Sequence, residues 1–374
     1  MKPLPALAGA AAAAVALVAA GSSATSATAP GEHVQPTTIA VLADTPYGDE
    51  LAENFDLLIR EINTTPGIRT VVHLGDTKSG GTTCDDEYQD SIRAKFRKFR
   101  DPLLYTPGDN EWTDCHRDSN GDFNPIKRLA KIRSSYFDQP GQSLSAGPKQ
   151  VAYQSAQFPE NQMWFQSGVQ IGLVHVVGSN NGLREWELGP SATDRRGPRT
   201  QEVGARTTAA VKWIDAIFDR AERLDAAGVL VMWHADAFGV FEFSGGDDMS
   251  GFTPIVQRLA ERTEQFDKPV LLINGDSHDF YEWTPLSDAD THPNAEFYTW
   301  RGVDLATVDS AFYHGVGGDI DNLTQVVVEI WDRFAPEPDE SVIDANDFGW
   351  LELRIDPSTP EVFSYEQRYL TVDG

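Results

Sequence analysis

Five short apolar runs in this sequence each end in residues that can bind a metal ion. The central run, residues 70–74, is followed by Gly75 and Asp76. The residues at the ends of the other four runs are Asp44, Asp109 with Asn110, His234, and Asp276 with His278. Carboxylate oxygens and imidazole nitrogens suit divalent metals, and two metals about 3.5–4 Å apart are typical of hydrolytic sites. These residues therefore predict a metal centre for hydrolysis, provided that the five runs end close together.

The elements that must position these residues are β-strands that share one sheet edge. Short β-branched runs that stop at Gly-Asp are typical of buried strands, and ligands of open α/β sheets collect at the carboxyl ends of the strands. Segments with helical spacing of apolar residues separate the runs, and residues 207–224 show the clearest apolar stripe. Alternating strands and helices predict a largely parallel sheet.

The remaining segments predict a second sheet. The strands of the first sheet are predicted at 38–44, 70–75, 103–106, 228–233 and 269–274. Helices are predicted at 50–62, 85–99, 124–137, 207–224 with Thr207 as its cap, and 253–266. A more antiparallel second sheet is the simplest use for the β-like segments 151–158, 161–165 and 169–177, and the chain from 295 onward again looks mainly β, at 295–301, 323–331, 350–355 and 361–369. The polar stretch 179–200, rich in Gly, Pro and Arg, predicts a long loop.

Residues 1–29 are predicted to be a secretory signal peptide. Lys2 precedes an apolar, Ala-rich run from Leu4 to Ala20, and small residues follow. An uncleaved anchor is the alternative, but the run is short for a spanning helix, which needs about 20 apolar residues. Residues 30–37 are predicted to be a linker and 38–374 one catalytic domain. The product is therefore expected to be secreted or periplasmic, without stable membrane insertion after cleavage.

Charge and cysteine content restrict the partners and the compartment. The 57 acidic and 30 basic residues give a net charge of −27, which opposes nucleic-acid binding. The same charge would repel an anionic substrate unless metal ions reverse the local field. Cys84 and Cys115 in an exported chain favour one disulfide between the loops after the Asp76 and Asp109 strands. Two free thiols are the alternative.

The strand-end motifs resemble, in their order, those of the calcineurin-like metallophosphoesterases, which include the purple acid phosphatases. That family shows Asp-x-His, Gly-Asp, Gly-Asn-His-Asp/Glu, a lone His after a strand, and Gly-His-x-His. The corresponding stretches here begin at Asp44, Gly75, Gly108, His234 and Gly275. The resemblance spans roughly residues 38–280. It implies an α/β fold, a four-layer α/β/β/α sandwich of two mixed sheets flanked by helices.

The resemblance also implies a dinuclear centre of divalent or trivalent Fe, Mn or Zn. Asp44, Asp76 and His278 would hold the first metal. The second would be held by Asp76, the 109–110 pair, His234 and Asp276. The implied reaction is hydrolysis of a phosphoester substrate, a monoester or a diester, in which a metal-bound hydroxide attacks phosphorus in line. A nearby donor would assist the leaving oxygen, and the candidates are Asn110, His116 and His73.

Three positions depart from the family pattern. Pro46 stands where the first motif has His, and Tyr47 follows it. Asp109 and Asn110 replace Asn-His, so either could be the ligand; Asn110 can donate a hydrogen bond to a phosphoryl oxygen but cannot protonate a leaving group. Asp276 replaces a His and would shift the metal preference. These changes leave two alternatives, a secreted binding protein that has lost catalysis and a different metallohydrolase with the same ligands.

Overall fold

The computed structural model of the protein describes residues 35–186, 196–239, 249–287, 316, 319–328 and 347–371. The predicted signal peptide, most of the predicted linker and the predicted strand 295–301 lie outside these residues. The first strand begins at Thr37, so the sheet starts one residue earlier than the sequence indicates. Within the described ranges, none of the helices combines the length and the hydropathy that crossing a membrane requires.

Among the described residues, the first sheet has five strands, and it presents Asp44, Asp76 and Asp109 at its edge. Its strands are β1 (Thr37–Leu42), β2 (Ile68–His73), β3 (Leu103–Tyr105), β11 (Asp347–Ile355) and β12 (Phe363–Thr371). They lie in the order β12-β11-β1-β2-β3. β1, β2 and β3 are parallel, whereas β11 is antiparallel to β1 and to β12. The three parallel strands therefore end at the same edge.

The second sheet has seven strands in the part of the chain that the structure describes, and it presents His234 and Asp276. Its strands are β4 (Ala152–Tyr153), β5 (Gln162–Gln166), β6 (Val169–Leu173), β7 (Gly228–Met232), β8 (Val270–Asn274), β9 (Tyr281–Trp283) and β10 (Leu323–Val327). They lie in the order β4-β5-β6-β7-β8-β10-β9, and β6, β7, β8 and β10 are parallel. The prediction that all five site strands share one sheet is therefore wrong, because β7 and β8 pair with β6 and β10.

The two sheets pack face to face, and helices cover their outer faces. Between the sheets, Val41 of β1 shares one apolar core with Met232 of β7 and Ile273 of β8. The outer face of the first sheet packs against α1 (Gly48–Thr64), α2 (Asp86–Phe96) and α3 (Pro125–Tyr136). The outer face of the second packs against α5 (Arg196–Arg223) and α6 (Thr253–Phe266). This is the predicted α/β/β/α sandwich, in which alternate strand residues face the helices and the opposite sheet.

The start of α5 corrects the prediction of a helix that begins at Thr207 after a long loop. Thr207 lies inside α5, which begins at Arg196. The buried Arg206 Nε donates to Glu202 Oε1 one turn earlier, at 2.9 Å, and its Nη2 donates to the Asn181 carbonyl at 2.8 Å. Asn181 belongs to α4 (Gly178–Asn181), a single turn with left-handed backbone at residues 179–181. These tertiary contacts stabilise a helix in a stretch whose own propensity predicts a loop.

Candidate metal centre

The predicted metal ligands come together although their strands belong to two sheets. In each of two overlapping groups, one ligand atom from every residue lies within 4.8 Å of the others; the groups are Asp44, Asp76 and His234, and Asp109, His234 and Asp276. His278 Nε2 lies 3.4 Å from Asp44 Oδ1. Asn110 donates to Asp76 from its backbone N–H at 2.9 Å and also from its side-chain amide. The five runs end close together because the carboxyl ends of β1, β2 and β3 in one sheet face those of β7 and β8 in the other.

Left-handed backbone places several of these side chains. The φ angles are 54° at Asp44, 53° at Asp76, 72° at Asp276 and 63° at His278. Residues other than Gly rarely adopt such values, and strained backbone is concentrated at functional sites. Gly75, with a φ of 97°, lies so close to Gly108 that an added Cβ would collide with the Gly108 backbone. The loops are therefore shaped to present the cluster at some cost in local stability.

His234 has the surroundings of a metal ligand. Its Nδ1 donates to the Leu74 carbonyl at 3.0 Å, and because a carbonyl only accepts, the bond fixes which ring nitrogen carries the hydrogen. Its Nε2 is buried, has no hydrogen-bond partner among the described residues, and lies 3.4–3.6 Å from oxygens of Asp76, Asp109 and Asp276. Such a nitrogen is stable there only with a proton or a cation between it and the acids. The donor set therefore fits a metal ion.

Tyr47 reaches the cluster from the loop after β1. Its hydroxyl lies 3.2 Å from Asp44 Oδ1, 3.0 Å from Asp76 Oδ2 and 3.4 Å from His278 Nε2. Burial and the charges of Asp76 and Asp44 raise its pKa well above the ordinary value. The phenol oxygen thus lies among the three residues predicted to hold the first metal, next to the position where Pro46 provides no ligand.

Glu111 holds the Asp76 loop against the Asp109 loop, a role that the sequence reasoning missed. Its Oε1 accepts from Gly108 N at 3.0 Å and from the Tyr105 hydroxyl at 2.6 Å, and both oxygens lie 3.1 Å from Asp76 N. The residue is 1% exposed. The available signal was its position directly after the two polar site residues and before a Trp. Only the tertiary donors, however, show why an acid is buried there.

Asp236 supports the loop that carries Asp276 and His278. Its carboxylate accepts hydrogen bonds from the Ser277 and Tyr281 hydroxyls and from Gln325 Nε2, the last at 2.9 Å. Its backbone N–H donates to Asp276 Oδ2 at 3.3 Å. Ser277 lies between the two predicted ligands in sequence, so these bonds fix the direction in which both side chains point.

The three predicted proton or hydrogen-bond donors occupy different places. His73 Nε2 donates to the Thr45 carbonyl at 2.7 Å, and burial lowers the pKa of His73 to about 4. This histidine therefore stays neutral at physiological pH and supports the Asp44 loop. His116 is buried in the 3₁₀ turn Thr113–His116, directly after Cys115 of the Cys84–Cys115 disulfide. Asn110 directly contacts a predicted ligand, Asp76.

Burying several acids together controls the protonation of the cluster. Burial raises the pKa of Asp76 well above its ordinary value. The positive charge of His234 lowers this pKa, but the negative charges of Asp109 and Glu111 raise it further. Burial opposes protonation of His234, but Asp76 and Asp276 outweigh it and raise the His234 pKa well above its usual range. In the metal-free cluster the His234 imidazole therefore stays protonated at neutral pH.

We expect divalent metals to bind more tightly as the pH rises. Metal ligands must be deprotonated, and the raised pKa values of Asp76 and His234 mean that a metal ion has to displace protons from them. The affinity should rise up to about tenfold per pH unit for each proton released. Isothermal titration calorimetry with Mn²⁺ or Zn²⁺, in buffers of different ionisation enthalpy, measures the metal affinity and the number of protons released. An affinity independent of pH, without proton release, would contradict this expectation.

Comparisons with known proteins include a distant structural similarity. A scan against protein-family models and a search of curated proteins find no match. A search of solved structures finds a chain described as "GAP50 the anchor in the inner membrane complex of Plasmodium". The TM-score is 0.39 at 8% identity, over 91% of this chain and 90% of that chain. A similarity at this level carries no argument about fold or function.

Proposed function

We propose that this protein is an exported, metal-dependent phosphoester hydrolase with a dinuclear centre. The observation that carries the proposal is the pair of overlapping ligand groups that share the buried His234. The order of the strand-end motifs, which resembles that of the metallophosphoesterases, supports the same assignment. Buried carboxylates and imidazoles arranged in this way are the donors that Fe, Mn and Zn use in hydrolytic sites.

The residues present divide naturally between two ions. Asp44, Asp76, His278 and the Tyr47 hydroxyl would hold one, and Asp76, Asp109, His234 and Asp276 the other. Gly178 leaves room beside the second group, because a Cβ there would lie 2.6 Å from Asp109 Oδ2 and 2.9 Å from Asp276 Oδ2. Bound metals lower the pKa of water and stabilise negative charge that develops on a phosphoryl group.

The chain's own polar groups complete the site. Asn110 Nδ2 lies at the edge of the cluster, where it donates to Asp76 and lies 3.3 Å from the Tyr47 hydroxyl. In the proposed reaction this amide donates to a phosphoryl oxygen, and Asp109 rather than Asn110 is the ligand. Ser179 Oγ lies 3.1 Å from Asp109 Oδ2 and 3.0 Å from Asp114 Oδ1, and it holds the Asp109 carboxylate in place.

Export is part of the proposal and rests on the leader pattern of residues 1–29. The disulfide between Cys84 and Cys115 is of the kind that persists in oxidising compartments outside the cytoplasm.

The proposal is tested by assaying the purified protein after metal removal and reloading. We expect release of the aryl alcohol from an aryl phosphate only when Mn²⁺ or Zn²⁺ is restored, and we expect inorganic phosphate to inhibit it. Metal analysis of the same samples should give two equivalents per chain. Two bound equivalents without hydrolysis of a broad phosphoester panel would favour the non-catalytic binding protein. Hydrolysis that phosphate does not inhibit would favour a different metallohydrolase.

A further inference from the structure

Arg117 lies at the rim of the metal cluster and is held there by a buried acid. It follows the 3₁₀ turn Thr113–His116, and its Nη2 forms an ion pair with Asp114. The Arg117 side chain is 34% exposed, whereas that of Asp114 is 3% exposed. The buried carboxylate, which Ser179 Oγ also contacts, therefore fixes one edge of a guanidinium that remains open to solvent.

The other edge of the guanidinium, at Nη1, borders the same space as the side-chain oxygen of Asn110. A Cβ added to Gly80 would lie 3.1 Å from Asn110 Oδ1 and 3.4 Å from Arg117 Nη1, so both side chains border the same space in front of this glycine. The positive field of Arg117 also reaches Asp109, whose pKa it helps to lower. Arg117 therefore places a positive charge near Asn110, on one side of a cluster that is rich in carboxylates.

The chemistry of phosphate esters gives the Arg117 guanidinium a use. The phosphoryl group of a monoester has three non-bridging oxygens; two can face the two metals, and the third is left for side-chain donors. A diester has only two such oxygens, and a third oxygen that is esterified carries no comparable charge. Arg provides five N–H donors in a fixed fork, so it can hold Asp114 on one edge and a phosphoryl oxygen on the other.

We propose that Arg117, beside Asn110, binds the third non-bridging oxygen of a terminal phosphoryl group and makes the site selective for phosphomonoesters over diesters. This assignment rests on the proposed function, because it places the two other oxygens at the metals. Arg117 acts here on substrate binding, and Asp114 is the residue that positions it.

The test compares inorganic phosphate with dimethyl phosphate as ligands of the metal-loaded protein, by calorimetry. A hydrogen bond to a charged group contributes about 1.5–3 kcal/mol, so Arg117→Gln should weaken phosphate binding by about ten- to hundredfold. Binding of dimethyl phosphate should change less than about twofold, because that ligand lacks the third charged oxygen. Arg117→Lys, which keeps the charge without the fork, should lie between wild type and Arg117→Gln.

A matched control is Arg354→Gln. Arg354 is 54% exposed and paired with Asp356 at the end of β11, and we expect its loss to leave both affinities unchanged. Metal content is measured for every variant, so that a loss of metal is not counted as a loss of anion binding. Among variants that retain metal, the ratio of kcat/KM for an aryl monoester to that for the matching diester should fall in Arg117→Gln.

Several results would overturn the assignment of Arg117. They are equal weakening of both anions, unchanged phosphate binding in Arg117→Gln and Arg117→Lys, and a wild-type protein that binds neither anion. Failure of the proposed function looks different: phosphate would bind to the wild type and depend on Arg117, but no ester would be hydrolysed.

Discussion

Replacing Asp76 by Asn is expected to lower hydrolysis of an aryl phosphate about a thousandfold while making the metal-free protein more stable. Asp76 lies in one ligand group, and its Oδ1 lies 3.5 Å from Nε2 of His234, which is shared by the two groups, so its two carboxylate oxygens would allow it to contact both ions. Losing one group that stabilises charge at a reaction centre costs about 10²–10³ in rate, and loss of metal adds to this.

The opposite effect on stability follows from the raised pKa of Asp76. Burial and the neighbouring acids raise this pKa above its unfolded value of 3.8, so the group favours folding only while it is protonated. That contribution is complete below the unfolded pKa and is lost as the pH rises from the unfolded pKa through the folded pKa, so Asp76 lowers the stability of the metal-free protein at neutral pH. The amide introduced by Asp76→Asn would keep an oxygen that accepts from Asn110 N and would remove the charge.

Turnover with added Mn²⁺ or Zn²⁺, metal content and thermal unfolding of the stripped protein measure these effects. Asp90→Asn is a matched control, because this residue lies in α2 and is 61% exposed. Unchanged turnover in Asp76→Asn would show that the cluster is not the catalytic centre. A lower melting temperature of the stripped variant would show that the acids are better compensated than their burial indicates.

Removing the Cys84–Cys115 disulfide is expected to lower the free energy of unfolding by about 4 kcal/mol. The bond closes a loop with a sequence separation of 31, and closing a loop of this size removes that much conformational entropy from the unfolded chain. Its two sulfurs lie 3.4 and 3.6 Å from the Asn110 carbonyl. Disulfide sulfurs carry no hydrogen, so these are packing contacts against the loop that presents Asp109 and Asn110.

Denaturant unfolding of the wild type and of the double variant Cys84→Ala, Cys115→Ala measures the loss. Reductant should shift the unfolding midpoint of the wild type and leave that of the double variant unchanged. We also expect phosphate binding to weaken in the double variant, since Asn110 and Arg117 flank the missing bond. A wild-type midpoint that stays constant after both thiols have been freed would contradict the expectation.

Local patterns predict strands and their polar ends well, because β-branched runs and Gly-Asp ends are properties of a few adjacent residues. β8 ends at Asn274, as the sequence indicates, whereas β2 ends at His73, two residues before the predicted end; Asp276 and Asp76 follow these strands. Strand pairing is different. Every residue of β7 and of β8 is buried, so the sequence of either strand contains no alternation that identifies its neighbours. That is why a single sheet was expected where two sheets supply the site.

The parts of the site that the sequence did not predict depend on long-range contacts. Tyr47 is three residues from Asp44, but its direction is set by the left-handed backbone at Asp44 and by Asp76 and His278. Arg206 likewise stabilises the early part of α5 because the Asn181 carbonyl accepts a hydrogen bond from its guanidinium. Such partners are distant in sequence, and neither propensity nor periodicity encodes them.

The division of the site between two sheets has a consequence for maturation. Asp44, Asp76 and Asp109 follow strands of the first sheet and His234, Asp276 and His278 follow strands of the second, so neither sheet alone holds a complete ligand set. A nascent or partly folded chain would therefore bind metal ions weakly, and metal binding would follow the packing of the two sheets. If the chain crosses its membrane unfolded, the metal ions available in the outer compartment determine which metal binds. The bound ion would then stabilise the packing of the two sheets against each other.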